Sequence, residues 1–180
     1  MKISSFLVAL AACFAIITIG CQSEPPSNTP AAGPQPAAAA GQPSALPDTA
    51  FKASITLVDP PEKLRAGQKE TIQVKVKNAS DTMWYARGAQ VNTNPDNRFY
   101  LAVGNRWLNT PDEKLITDMD GRFGLDRDLK PGEETEVPLV ITAPREPGDY
   151  KLVVDLVQEQ VAWFHDKGSP TASVKINVTR

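Results

Sequence analysis

The sequence predicts an all-β domain, an antiparallel β-sandwich, that follows a signal peptide and a long linker. Short runs of alternating apolar and polar residues recur roughly every ten residues from Phe51 onwards, a spacing typical of antiparallel sheets. Clusters of Gly, Pro, Asn and Asp separate these runs, and no convincing helical period interrupts them. With 180 residues, 19 Lys+Arg and 21 Asp+Glu, the chain holds one ordinary core and lacks the basic field that nucleic-acid binding requires.

The first segment is typical of a secretory signal. Met1-Lys2 precedes an apolar run that ends at Gly20, directly before Cys21. This arrangement resembles a bacterial lipoprotein signal, which implies that Cys21 is acylated, for example with palmitate, and becomes the first mature residue. Cleavage at Cys13 is an alternative, but it leaves the apolar Phe14–Ile19 run on the mature chain. The other alternative is a plain secretory signal in which Cys21 is not a lipid attachment site.

The next segment predicts a tether. Residues 22–49 are dominated by Pro, Ala, Gly, Ser and Gln without hydrophobic periodicity, a composition that cannot bury enough apolar surface to fold. Extended at ~3.1 Å per residue, it would reach roughly 90 Å from a membrane. The predicted organisation is therefore a signal peptide at 1–20, an acylated tether at 21–49 and a folded domain at 50–180. Because both cysteines precede the domain, no disulfide is predicted within it.

Five strands are predicted from clear alternation. Pro138 cannot donate a ladder hydrogen bond, so its strand is predicted at an edge or with a bulge. The strand that begins at Tyr150 is predicted near the sheet centre because both of its faces carry apolar residues. The five runs are Phe51–Val58, Glu70–Asn78, Glu133–Thr142, Tyr150–Leu156 and Ser173–Thr179.

The middle of the chain is interrupted by Gly, Asn, Asp and Arg. Arg98–Val103 and Arg106–Leu108 are predicted as a hairpin across Gly104-Asn105, two residues that suit a tight turn. Asn109–Lys130 is predicted to be mostly loop, with a short helical turn near its start. Seven to eight strands in all indicate an immunoglobulin-like β-sandwich.

Several motifs resemble bacterial immunoglobulin- or fibronectin-like accessory domains, and in outline the four-tryptophan domain of autophagy receptors. They are Leu64-x-x-Gly67, Pro131-Gly132-Glu133 and Pro147-Gly148-x-Tyr150-x-Leu152. The run from Asp155 to Phe164, Asp-Leu-Val-Gln-Glu-x-Val-Ala-Trp-Phe, more closely resembles a β-sandwich module of bacterial cell-envelope proteins, in which Gly usually stands where this chain has Gln160. The resemblance implies an accessory, non-catalytic role and no particular ligand.

Aromatic residues are the candidates for ligand contact: Tyr85, Trp107, Trp163 and Phe164. Such rings can stack on sugars or peptides, but they also fill sandwich cores. Adjacent strand residues face opposite ways, so each doublet, Trp84-Tyr85 and Trp163-Phe164, is predicted to send one ring inward and one outward.

Catalysis and metal binding have weaker support. His165 is the only histidine and is predicted to face solvent or lie in a loop, and no Gly-x-Ser-x-Gly nucleophile turn occurs. Four carboxylates could offer calcium oxygen ligands, but their spacing does not fit an EF-hand loop, so no metal is predicted. These are Asp118, Asp120, Asp126 and Asp128.

Together these patterns predict a membrane-anchored, non-enzymatic binding or scaffolding protein of the bacterial envelope, without cofactor. Its partner is predicted to be an envelope protein or polysaccharide, not a nucleic acid. A polysaccharide-recognition domain and a small envelope hydrolase are the alternatives. Gln22 follows Cys21 where an aspartate would resemble an inner-membrane retention signal, so the outer membrane is favoured in a cell with two membranes.

Overall fold

The computed structural model describes residues 44–86 and 97–180, which are almost entirely β-structure. The signal sequence, Cys13 and Cys21 lie outside these residues. None of the helices in the described ranges is long and apolar enough to span a membrane. The ten strands of this part are β1 (Ala53–Val58), β2 (Lys63–Arg65), β3 (Lys69–Asn78), β4 (Leu101–Asn109), β5 (Leu115–Thr117), β6 (Arg122–Gly124), β7 (Glu134–Thr142), β8 (Gly148–Gln158), β9 (Ala162–Trp163) and β10 (Ala172–Thr179). Short 3-10 helices lie at Asp48–Ala50 and His165–Lys167.

The strands form two sheets, which confirms the predicted immunoglobulin-like sandwich. The smaller sheet has the order β1-β3-β7 and is antiparallel throughout. The larger follows β2-β10-β8-β4-β5, with β6 beside β4 and β9 beside β8. Strand β8 lies between β4 and β10, as predicted from its two apolar faces. Strand β7 is at an edge of its sheet, which fits Pro138.

The core lies between the two sheets, and alternation along each strand fills it. Val74 and Val76 of β3 and Leu152 and Leu156 of β8 belong to one continuous cluster of buried side chains. Tyr150 contributes its ring to this cluster while its hydroxyl donates to the Glu146 carbonyl, 2.9 Å away. A tyrosine tied to backbone a few residues upstream also occurs as the corner motif of immunoglobulin-like domains.

The predicted hairpin across Gly104-Asn105 is wrong, because β4 runs without interruption from Leu101 to Asn109. Both residues are buried, and Asn105 Oδ1 accepts a hydrogen bond from the Gly121 backbone at 2.7 Å. The segment 109–130, predicted as loop, contains the short strands β5 and β6, which pair with β4. Long-range contacts therefore determine this region, and local turn chemistry does not.

The chain joins the domain a few residues before Phe51. Gln158, fully buried at the end of β8, donates to the Ser44 and Phe99 carbonyls and accepts from the Leu46 amide, at 2.8, 2.9 and 2.9 Å. Lys167 and Asp48 form a 2.8 Å ion pair nearby. The predicted tether thus meets the domain beside the β8–β9 connection.

Candidate functional site

The structure separates the four predicted contact aromatics. Trp107 and Phe164 are completely buried, which corrects their assignment as surface contacts. Trp107 faces the sandwich interior from β4, and the Phe164 ring packs edge-on against Phe51 and Trp84, with centroids 4.9 and 5.2 Å apart. Tyr85 and Trp163 stay partly exposed, so each doublet does send one ring inward and one outward.

Trp163 lies across the outer face of the larger sheet. It pairs with Val157 of β8, and its ring extends over that strand towards Gly104 of β4. A Cβ on Gly104 would lie 2.7 Å from the ring atom Cη2, so only glycine leaves room for the ring there. The Arg122 guanidinium lies over the ring, 4.8 Å from its centroid, and Arg122 also forms a 2.6 Å ion pair with Glu159.

A shallow depression of about 350 Å³ opens beside this ring. Two of its rim residues are apolar and exposed, Met119 at 56% and Val161 at 40%. Two have a left-handed backbone, Met119 with φ 52° and Gln160 with φ 59°. Such conformations cost a non-glycine residue about 1 kcal/mol or more and often occur at binding sites. We call this region the Trp163 surface, comprising Met119, Arg122, Glu159, Gln160, Val161, Trp163 and Asp166.

Arg122 is incompletely satisfied within the Trp163 surface. Its Nη1 binds Glu159, but its Nε is buried and has no hydrogen-bond partner among the described residues. A buried donor without an acceptor costs about 1–3 kcal/mol.

His165 lies next to the Trp163 surface and is more constrained than predicted. It begins the 3-10 helix, is only partly exposed, and its Nδ1 lies 2.6 Å from Asp155 Oδ2. Asp155 Oδ2 also accepts from the His165 backbone amide at 3.2 Å, and its Oδ1 accepts from Leu156 at 2.8 Å. Arg106 completes the group, with Nη2 2.9 and 3.1 Å from the two ring nitrogens.

Burial raises the pKa of Asp155, because its carboxylate is almost completely removed from water on the outer face of β8. Hydrogen bonds from the His165 side chain, the His165 backbone and the Leu156 backbone oppose that shift. The other His165 nitrogen, Nε2, lies 3.2 Å from Asp166 Oδ1. An aspartate–histidine pair can activate a nucleophile. Here Nε2 lies 3.1 Å from Arg106 Nη2 and 3.2 Å from Asp166 Oδ1. The Asp155–His165 pair therefore belongs to a cluster of charged side chains.

The four aspartates considered for calcium do not converge. Asp120 faces inward and accepts from the Thr142 amide at 2.5 Å, whereas Asp126 accepts from the Thr135 hydroxyl at 2.7 Å and Asp128 from the Ala86 amide at 2.8 Å. Asp118 is exposed. In the described ranges, no three His, Cys, Asp or Glu side chains are grouped so that they could hold a metal ion. Asp120 instead caps the free edge of β7.

The sequence pattern did not identify Gly104, Arg106, Arg122 or Asp155 as parts of one site. Asp155 carries the only usable signal, since it is a charged residue inside the apolar run Val153–Val157 of a strand predicted to be covered on both faces. A buried carboxylate requires a hydrogen-bonding partner. Arg106 lies far from Asp155 in the sequence, and only the β4–β8 register brings the two residues together.

Comparisons with known proteins find only distant structural likenesses. No protein-family model matches the chain, and no curated protein matches it. A beta-glucosidase from Listeria innocua in complex with glucose is 13% identical, with a TM-score of 0.42. The match covers 72% of this chain but only 16% of the beta-glucosidase chain. The CARDB domain of the PF1109 protein from Pyrococcus furiosus, in complex with di-metal ions, is 14% identical with a TM-score of 0.41, over 71% and 86%. Spo0M, a sporulation control protein from Bacillus subtilis, is 16% identical with a TM-score of 0.40, over 72% and 49%. Such distant likenesses say nothing about ligand or activity.

Proposed function

We propose that this chain is a cell-envelope lipoprotein, anchored through Cys21, whose immunoglobulin-like domain is a non-enzymatic binding or scaffolding module. The apolar segment before Cys21 and the Pro/Ala-rich stretch after it support the anchor and the tether. The tether meets the domain at Ser44–Leu46, which Gln158 holds at the end of β8. An anchored domain of this kind would act by presenting a surface to its neighbours.

Metabolic labelling with a fatty-acid analogue tests the anchor. Label should be lost in Cys21→Ala and retained in Cys13→Ala. Label that survives Cys21→Ala and disappears in Cys13→Ala would place the anchor at the other cysteine. Absence of label from the wild-type protein would contradict lipidation altogether.

The Trp163 surface is the proposed binding site. The observation that carries this proposal is the combination, on one small area, of exposed Met119 and Val161, left-handed backbone at Met119 and Gln160, and an Arg122 Nε that has no partner among the described residues. Each feature costs stability or solubility when the surface is free. A partner that covers the area would remove the apolar side chains of Met119 and Val161 from water.

The chemistry of the Trp163 surface favours a protein segment with an apolar side chain beside a lysine or arginine. Arg122 and Glu159 neutralise each other at 2.6 Å, which leaves exposed Asp166 as the remaining charge on the rim. The guanidinium of Arg122 also occupies a face of the Trp163 ring on which a sugar would stack. A polysaccharide is therefore the second candidate, to be distinguished by experiment.

Site-specific photocrosslinking in cells tests the site. A crosslinking amino acid at Val161, 40% exposed, should give one dominant protein adduct, whereas the same residue at Val140, 48% exposed on β7 of the other sheet, should not. Met119→Asp should abolish the Val161 adduct without unfolding the domain. Equal adducts at both positions would indicate nonspecific contact and contradict the proposed site.

Binding to purified cell-wall polysaccharide distinguishes the second candidate. Binding of the protein to the polysaccharide that depends on Trp163, with no protein adduct at Val161, would favour a polysaccharide as the ligand. Trp163→Phe keeps an aromatic face and is the matched variant for this comparison.

A further inference from the structure

Strand β5 is a free edge of the larger sheet, and its apolar side chains are exposed. It pairs with β4, and no strand of the described residues lies on its other side. Leu115 is 49% exposed and Ile116 45%, so two adjacent large apolar side chains are in contact with water on this edge. An exposed apolar edge strand is a surface to which another chain can add.

The residues around β5 are arranged symmetrically about Ile116. Lys114 and Asp118 lie at equal distances before and after it, and both are exposed. Neither side chain has an ion-pair or hydrogen-bond partner in the described part of the chain. Just beyond them, Glu113 and Met119 both have a left-handed backbone, with φ 53° and 52°. The chain therefore leaves the extended conformation at equal distances on either side of Ile116.

This arrangement is complementary to itself. If two copies of β5 run antiparallel about a two-fold axis at Ile116, each residue faces the one that is equally far from Ile116 on the other copy. Lys114 of each copy then lies opposite Asp118 of the other. Opposite charges directly across a strand pair stabilise the pair, and the apolar Ile116 side chains lie beside the axis between them.

The neighbouring registers lack this complementarity. An axis at Leu115 would place Asp118 opposite Asp112. An axis between Leu115 and Ile116 would place Asp118 opposite Glu113. Like charges that face each other across strands are destabilising. Charges at an edge commonly protect it from association, but here they repel a second copy in these registers and attract it in one.

We propose that β5 joins two copies of this chain in a two-fold dimer centred on Ile116, in which Lys114 of each copy pairs with Asp118 of the other. The interface formed by so short a strand is small, which places the dimer among weak, reversible associations. Its partner is a second copy of the chain, and the dimer does not require the Trp163 surface.

The surroundings of β5 are compatible with this contact. The β4–β5 pairing shifts register between Trp107 and Leu108, so β5 is an irregular edge and the contact depends on side chains more than on a long backbone ladder. The connection that follows β7 does not close over the strand. A depression of about 240 Å³ remains beside Ile116, lined also by Pro144 and Tyr150.

Photocrosslinking of the full chain in cells tests the dimer. Two copies that carry different affinity tags are expressed together, with a photoreactive amino acid at Ile116 of one copy. The expected product is an adduct that carries both tags. The same amino acid at Val140, 48% exposed on β7 of the other sheet, is the matched control and should give none. Absence of the two-tag adduct at Ile116, or equal amounts at both positions, would overturn the proposal.

Charge reversal tests the register. Lys114→Asp makes both facing pairs acidic and Asp118→Lys makes both basic, so each variant alone should give about fivefold less two-tag adduct. When one copy carries Lys114→Asp and the other Asp118→Lys, every facing pair is again opposite in charge, and the adduct should return to the wild-type amount. Lys77→Asp, at an exposed position of β3, is the control and should leave the adduct unchanged. A mixed pair that crosslinks no better than either variant alone would contradict an axis at Ile116.

The dimer and the proposed binding site can fail separately. Trp163→Ala should leave the two-tag adduct at Ile116 unchanged, because the ring lies outside β5. A two-tag adduct at Val161, with none at Ile116, would place the second copy on the Trp163 surface and overturn the proposed axis. If the dimer forms but Val161 gives no adduct with another protein, the proposed binding function fails and the dimer stands.

Discussion

The two faces of the larger sheet come from the same central strands, β4 and β8, yet they are built in different ways. On the inner face, Trp107 of β4 lies opposite Leu152 of β8, and both are fully buried among apolar side chains. On the outer face, Gly104 lies opposite Asp155, with the Trp163 ring and the charged cluster above them. The inner face is specified by volume and apolarity, whereas the outer face depends on a missing side chain, charge pairs and strained turns. Stability should be concentrated on the first and recognition on the second.

Replacing the inner tryptophan gives the largest expected effect. Trp107→Ala should lower the free energy of unfolding by about 3–5 kcal/mol, because it leaves a large cavity in the core. Trp163→Ala, the matched change on the outer face, should cost clearly less, since part of that ring is already in contact with water. Urea unfolding of both proteins measures the difference. Equal losses would mean that the outer face is a second core and would remove the basis of the comparison.

The buried carboxylate of the outer face should show its own pH signature. Burial raises the pKa of Asp155 above its ordinary value of 3.8, so the folded protein binds this proton more tightly than the unfolded chain. The stability contributed by this group is therefore present below 3.8 and is lost as the pH rises through the raised pKa. Asp155→Asn lacks this contribution. Its side chain also has one acceptor oxygen where the aspartate has two, so the free energy of unfolding should fall by about 1–3 kcal/mol near neutral pH.

Urea unfolding across the acidic range checks the sign of this linkage. The stability gap between wild type and Asp155→Asn should widen as the pH falls towards 3.8, because only the wild type gains the proton. Asp149→Asn, at an exposed position of the same strand, is the control and should show a small gap without that trend. A gap that narrows in acid would contradict the direction of the shift.

The glycine beneath Trp163 allows the outer face to be perturbed alone. Gly104→Ala would place a methyl group 2.7 Å from the ring and should cost about 1–3 kcal/mol by overpacking. The Trp163 indole signal should shift, while those of Trp84 and Trp107 in the core stay in place. In a Trp163→Ala background the same change should cost much less, and this non-additivity is the decisive measurement. Additive losses would show that the clash involves another neighbour.

Much of the inner face could be predicted from sequence because alternation is a local signal. The apolar positions of β3, β7 and β8 and the in-out split of the Trp163-Phe164 doublet follow from the two-residue period. The edge position of β7 follows from Pro138, which has no N–H to donate. The same reasoning left Trp107 and Phe164 as surface candidates, because alternation says which residues share a face but not which face is covered.

The outer face could not be predicted, since its determinants are distant in sequence. Gly104-Asn105 has the composition of a turn. Gly104 instead makes room for the ring of Trp163, which is distant in sequence, and Asn105 accepts a hydrogen bond from the Gly121 backbone. His165 has the pattern of a loop residue until β8 places Asp155 beneath it. Local propensity is overridden in both cases by contacts that only the sheet register creates.

The smallest expected effect concerns the turn at Gln160, which connects β8 to β9. Gln160 has φ 59°, so the turn requires the left-handed conformation whichever residue is present. Gln160→Gly should therefore stabilise the domain by about 0.5–1 kcal/mol, as the strain removed exceeds the added entropy of the unfolded chain. Gln73→Gly, at an exposed position within β3, is the matched control and should instead destabilise by a similar amount. Destabilisation by both changes would mean that the Gln160 side chain makes a contact worth more than its strain, and the outer face would then be better adapted to its free state than proposed.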